Sequence, residues 1–105
     1  MKKVMIVDDN YLNAEGIEKN IDWKALDAEV SSVKYDSRSA LDAMRENPVD
    51  LIISDIEMPD LDGISMSKLA LSLNPLVKII LVSAYDKFES VSYTHLRAHE
   101  TLSDL

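Results

Sequence analysis

Three short apolar runs, Val4 to Val7, Leu51 to Ser54 and Val77 to Val82, constrain this chain more than any other feature. Each is too short for a buried helix and lacks the regular polar alternation of a strand with one wet face. Together they read as strands of a parallel sheet covered on both faces, and Leu51 to Ser54 is continuously apolar as a central strand should be. Between them lie segments of helical period. Asn10 to Asn20 leads to one buried stripe of Ala14, Ile17 and Ile21. A second helix, with Ser37 as its cap, turns Ala40, Leu41 and Met44 inward before Pro48 marks the exit. Ala28 to Val33 is a weaker second strand, and Gly63 to Leu73 is a third helix ended by Asn74 and Pro75. Asp86 and Glu89 are spaced as a capping box for a fourth helix. The order β-α-β-α-β-α-β-α predicts βαβ units, right-handed crossovers and a parallel sheet between two helical layers.

Composition narrows the class. The 105 residues suffice for one domain with one core, and 47% hydrophobic with 29% charged residues is a globular balance. No apolar stretch is long enough to cross a bilayer, and the N-terminal MKKVMIVDD turns acidic too early for a signal peptide. A cytoplasmic protein without membrane attachment is expected. The lack of cysteine excludes disulfides, thiolate chemistry and Cys-ligated zinc. Nineteen acidic against eleven basic residues leave a charge of −8, which opposes the phosphate contacts of nucleic-acid binding. Any action on DNA then requires another domain.

Asp8, Asp9, Asp55 and Ser83 all follow the carboxyl ends of strands. In parallel α/β sheets chemistry collects there, where the strand order reverses. In the flavodoxin-like order 2-1-3-4-5 the first and third strands are neighbours, so Asp8, Asp9 and Asp55 converge. Two unit charges about 4 Å apart repel by roughly 4 kcal/mol at an effective dielectric near 20. Either one acid keeps its proton or a cation sits among them. A hard, all-oxygen site suits Mg²⁺ or Mn²⁺ rather than zinc. With that charge screened, an ionised aspartate can act as a nucleophile toward a phosphoryl group. The plainer alternative has Asp8 and Asp9 capping the first helix and Asp55 opening a turn. Capping accounts for one aspartate but not for two adjacent acids facing a third.

Other residues take ordinary roles. Met5, Met44, Met58 and Met66 read as packing, Trp23 as a plug at the end of the first helix, and Asn10 as a helix cap. Gly63 relieves the backbone ahead of the third helix, and two glycines leave no phosphate-cradling loop of the P-loop kind.

The stretches "VMIVDDN", "DLIISDIEMPDLDG" and "KIILVSAYDKFE" together resemble the receiver domain of bacterial two-component response regulators, of the type often joined to an AraC-like DNA-binding domain. The resemblance covers Met1 to about Ser90. It implies a flavodoxin-like three-layer α/β fold. It makes Asp55 the phosphoacceptor, charged from a phosphohistidine on a sensor histidine kinase. Mg²⁺ would be held by the Asp9 and Asp55 side chains, the Glu57 backbone carbonyl and, mainly through water, Asp8. Ser83 would bond the phosphoryl oxygen and draw the loop after the fourth strand inward. Glu57 and Tyr85 would flank the route of hydrolytic water. On this reading the chain is not an enzyme beyond its own phosphorylation and dephosphorylation, and it switches an output domain, a transcriptional one, without touching nucleic acid itself. The alternatives are an unphosphorylated pseudo-receiver that only docks partners, and a Mg²⁺-dependent aspartyl phosphatase with Glu57 as second acid.

The chain departs from this pattern after Ser90, where a receiver continues to a fifth strand ending in Lys-Pro and a fifth helix. Here the sequence reads "VSYTHLRAHETLSDL". Val91 to Thr101 resembles a translated sequencing adapter. The expectation is an incomplete receiver over 1–90, strand order 2-1-3-4, followed by a non-native tail over 91–105. The rival reading is a natural helix with Phe88, Val91 and Leu96 inward. On the first reading the phosphoryl group lacks the lysine's fixed charge, and the fourth strand presents a free edge. Lowered stability and association through that edge, as a homodimer or an aggregate, are then expected. His95 and His99 stand at i, i+4 but have no further ligand, and receive no role.

Overall fold

Strand β1, Lys2–Val7, is covered on both faces from Val4 onward, with Val4, Ile6 and Val7 fully buried. Its side chains alternate between two cores, as the two-residue period of a strand requires. Met5 and Val7 point into one core, and Val4 and Ile6 into the other. The same division runs through β3, Leu51–Asp55, whose Ile52 joins the first core and whose Ile53 joins the second. The computed structural model describes residues 1–82. Within them the remaining elements are α1 Tyr11–Asn20, a 3₁₀ turn Lys24–Leu26, β2 Ala28–Lys34, α2 Ser37–Glu46, α3 Gly63–Leu73 and β4 Lys78–Val82. The expectations for Ser83, Tyr85, a fourth helix, the two histidines, the tail and the free edge of the fourth strand turn on residues 83–105, outside the described residues.

The four strands form one parallel sheet in the order β2-β1-β3-β4, the order expected from the sequence. Helices α2 and α3 cover one face. Ala40, Leu41 and Met44 from α2 and Met66 and Ala70 from α3 meet Met5, Val7, Ile52, Ile79 and Leu81 there. Helix α1 covers the other face through buried Ala14 and half-buried Ile17, with Trp23 packed beside them. The indole of Trp23 also donates to the Glu18 carbonyl at 2.9 Å, closing the end of α1. Each large side chain buried in these layers contributes about 1.5–3 kcal/mol relative to exposure. The methionines belong to this packing, as read.

Three local differences from the sequence reading have physical reasons. Ile21 lies outside α1, as its extended C-cap, so the stripe is shorter than its spacing suggests. Asp36, not Ser37, caps α2. Its extended backbone aims Oδ1 at the Ser39 amide, 2.7 Å away, and Ser37 becomes the first helical residue. Strand β2 carries a bulge at Ser31, where the register steps from Val4↔Val30 to Met5↔Ser32. The Ser31 hydroxyl bonds the Val4 carbonyl at 3.3 Å. Such a bulge twists an edge strand and blunts it for pairing.

Candidate metal centre

At the carboxyl edge of the sheet, β1 runs into Asp8 and β3 ends at Asp55. Val7 pairs with Ser54 across the ladder, so the next residues on each strand stand side by side. Asp55 is still in register with Val82 of β4, which places the acid within the sheet rather than in the loop beyond it. Asp8, Asp9 and Asp55 each offer a carboxylate oxygen, and the three oxygens lie within 4.8 Å of one another. Asp8 and Asp55 are buried, 2% and 5% exposed, while Asp9 opens to solvent.

Helix capping does not explain the cluster. Asn10 already caps α1, its Oδ1 accepting from the amides of Leu12 at 2.9 Å and Asn13 at 3.1 Å. The Asp8 carboxylate accepts one bond, from the Asn10 amide at 2.9 Å. Asp55 accepts a long one from the Glu57 amide at 3.3 Å. Among the described residues the ion pairs are Lys19 with Glu15 and Arg45 with Asp42, both on helix surfaces. No lysine or arginine among them neutralises the buried acids.

The electrostatic consequence is direct. Burial, only partly offset by the Asn10 amide, pushes the Asp8 carboxyl from 3.8 up to about 6, with Asp55 and Asp9 adding repulsion. Burial likewise raises Asp55; the Glu57 amide opposes this and the charge on Asp9 adds to it. Carboxylates raised by desolvation and by one another lack a counter-charge. The donors fit a hard ion: all are oxygens, with no His or Cys, and their spacing leaves room for bonds of about 2.1 Å to one Mg²⁺.

Backbone features hold the acids in place. The buried Ser54 hydroxyl donates to the Asp55 carbonyl at 2.9 Å. Gly63 packs its Cα against that same segment. A Cβ at position 63 would overlap the Asp55 carbonyl oxygen and come 3.0 Å from Ile56 Cα. Gly63 is thus required by close approach, not by an unusual φ, since among the described residues no glycine has positive φ. Its amide bonds the Ile56 carbonyl at 2.6 Å, closing the loop that follows Asp55. Glu57 is exposed on that loop. Of the sequence-derived site residues, the structure gathers Asp8, Asp9 and Asp55; Ser83 is outside the described residues. Sequence reading missed Ser54, and also Asp60, whose partners lie in α2.

The sequence matches the response regulator receiver domain family over residues 4–103. The chain belongs to this family. It is 26% identical over 89 residues to the uncharacterized transcriptional regulatory protein YesN of Bacillus subtilis, matching 85% of this chain and 24% of YesN. It is 35% identical over 92 residues to the two-component response regulator ARR18 of Arabidopsis thaliana, matching 85% of this chain and 14% of that protein. It therefore spans about a quarter or less of these relatives. Among solved structures, the receiver domain of AraT, a response regulator from Geobacillus stearothermophilus, superposes with a TM-score of 0.77 at 25% identity, over 98% of this chain and 93% of that one. The receiver is a signalling module of two-component systems. Among the described residues no helix is long and apolar enough to cross a membrane.

Proposed function

We propose that Asp55 is the phosphoacceptor of this receiver, that Asp8, Asp9, Asp55 and the Glu57 carbonyl hold Mg²⁺, and that the donor is a phosphohistidine on a sensor histidine kinase. The observation that supports this reading is the convergence of two buried, uncompensated carboxylates with a third, exposed one at the carboxyl edge of the sheet. In the transfer, an Asp55 carboxylate oxygen attacks phosphorus in line. The P–N bond of the phosphohistidine breaks, its electron pair returns to the imidazole, and an acyl phosphate forms on Asp55. The chain contributes position and charge more than covalent chemistry. Burial at the end of β3 fixes the direction of the Asp55 side chain, and the Glu57 amide holds its Oδ1. Bound Mg²⁺ supplies the neutralisation that lets an anion attack an anion. Asp9, exposed on the open side of the cluster, would be the first carboxylate an ion meets from solvent. Ser83 is assigned the bond to the phosphoryl oxygen that signals the new state to an output domain, a transcriptional one as in YesN-like regulators.

The test is phosphorylation of the purified chain with acetyl phosphate, read on a phosphate-affinity gel. Label should appear with MgCl₂, vanish with chelator and vanish in Asp55→Asn. A wild-type chain that stays unlabelled at saturating Mg²⁺ contradicts the assignment and leaves a partner-docking module.

A further inference from the structure

Helix α2 begins with three backbone amides that have no partner inside the helix, the usual state of a helix start. Asp36, its own cap, takes one of them, the Ser39 amide at 2.7 Å. The other two go elsewhere. Asp60, on the loop between β3 and α3, accepts from the Ser37 amide at 3.3 Å through Oδ1 and from the Arg38 amide at 3.1 Å through Oδ2. The buried Ser37 hydroxyl returns the contact, donating to the Leu61 carbonyl at 2.6 Å and touching Met58 Sδ at 3.7 Å. One carboxylate thus bridges two amides at the positive end of a helix, a favourable setting for an anion.

The loop so held is the one that follows Asp55 and carries Glu57. Its far end is fixed separately, by the Gly63 amide on the Ile56 carbonyl and by Asp62 as the cap of α3. Asp60, together with the Ser37 hydroxyl, ties the middle of this loop to the start of α2. We infer that Asp60 is a positioning residue, clasping the loop to the start of α2 so that the Asp55 carboxylate and the Glu57 backbone keep the arrangement that receives Mg²⁺. This rests on the Mg²⁺ reading given above. Burial raises the Asp60 carboxyl, but the amides of Arg38, Ser37 and Leu61 outweigh it and hold the group below its ordinary value, in keeping with an engaged anion.

A purely structural clasp would lower stability and leave metal affinity alone. Titration calorimetry of the full chain with MgCl₂, beside thermal melts, separates the two roles. The variants are Asp60→Ala, Asp60→Asn and Asp50→Ala. Asp50 is the matched control: it accepts the Lys3 amide at 2.7 Å, a comparable charged bond, but sits before β3 at the opposite edge of the sheet. Asp60→Ala should weaken Mg²⁺ binding about tenfold, the lower end of the cost of removing an outer partner of a metal ligand. Asp60→Asn, which loses the charge but keeps one acceptor, should lose much less, and Asp50→Ala should bind as wild type. Equal weakening in Asp60→Ala and Asp60→Asn would make the effect one of charge and overturn the proposal. An affinity in Asp60→Ala no lower than in Asp50→Ala would overturn it as well. If Asp60→Ala does not fold, Ser37→Ala, which removes the hydroxyl contacts to Leu61 and Met58 but leaves Asp60 on its amides, must show a several-fold weakening. A wild-type chain that does not bind Mg²⁺ fails the metal reading itself, an outcome distinct from wild-type binding with unaltered variants.

Discussion

Two groups of aspartates share one rim of this sheet and are pushed in opposite directions. Asp8 and Asp55 are buried, meet few donors and are raised above the ordinary carboxylate value. Asp60 and Asp62 sit on the loop only five to seven residues after Asp55, in contact with helix amides, and are lowered. The residue type is the same, and what differs is the supply of donors. Asp62 meets the Ser65 amide at 2.9 Å and the Ser65 hydroxyl at 3.0 Å. The clustered pair meets one amide each and, across the gap, other acids. A satisfied aspartate builds a loop. An unsatisfied one is left ready for a ligand, and the fold bears the cost of keeping it so.

The contrast is sharpest in Asp55→Asn. All phosphorylation by acetyl phosphate should disappear, while the same change at Asp62 should leave labelling intact on the same gel. Next in size is Gly63→Ala. The added methyl meets backbone atoms of Asp55 and Ile56 that cannot turn aside as a side chain can, so a loss of about 1–3 kcal/mol is expected in urea unfolding. Labelling should fall with it, because the atoms displaced are those of Asp55, the proposed acceptor.

The pH dependence of the metal-free chain is smaller and has a definite sign. The folded form of Asp8 holds its proton up to about 6, whereas the ordinary value is 3.8. Between those values the native state binds more protons than the unfolded one, so stability falls as pH rises through the window. The full shift would correspond to about 3 kcal/mol; with water reaching the open, Asp9 side of the cluster, about 1–2 kcal/mol is expected. Asp55 acts in the same sense. Comparing wild type with Asp8→Asn at pH 4 and pH 7 isolates the effect, and the variant should be flatter across about that interval. A variant with the same slope as wild type would break the contrast. Smallest is Asp62→Ala. It removes the cap of α3 and should lower the melting temperature slightly, with no change in Mg²⁺ affinity.

Much of this was legible in the sequence, for identifiable reasons. The short apolar runs mark the strands, and the flavodoxin-like order 2-1-3-4 makes β1 and β3 neighbours, which is what brings Asp8, Asp9 and Asp55 together. Helix α3 was read at both ends, because Gly63 and the Asn74-Pro75 pair punctuate it. The cap of α2 was misplaced because Asp36 and Ser37 are both good caps, and backbone direction alone chooses between them. The reason for Gly63 was hidden in a contact with the Asp55 carbonyl, and the bridge made by Asp60 joins residues 22 and 23 positions apart. Neither leaves a periodic or local trace. Patterns that repeat along one element can be read from the chain; a single contact between elements needs the fold.

The central proposal is that the raised acids at the ends of β1 and β3 receive a divalent cation. Titrating the side-chain carboxyl carbon resonances of Asp8, Asp9 and Asp55 against pH, with and without saturating MgCl₂, measures this directly. Without metal the Asp8 carboxyl should titrate near 6, and with Mg²⁺ it should fall below its ordinary value as the ion takes the proton's place. Carboxyl titrations that are unmoved by Mg²⁺ would contradict it.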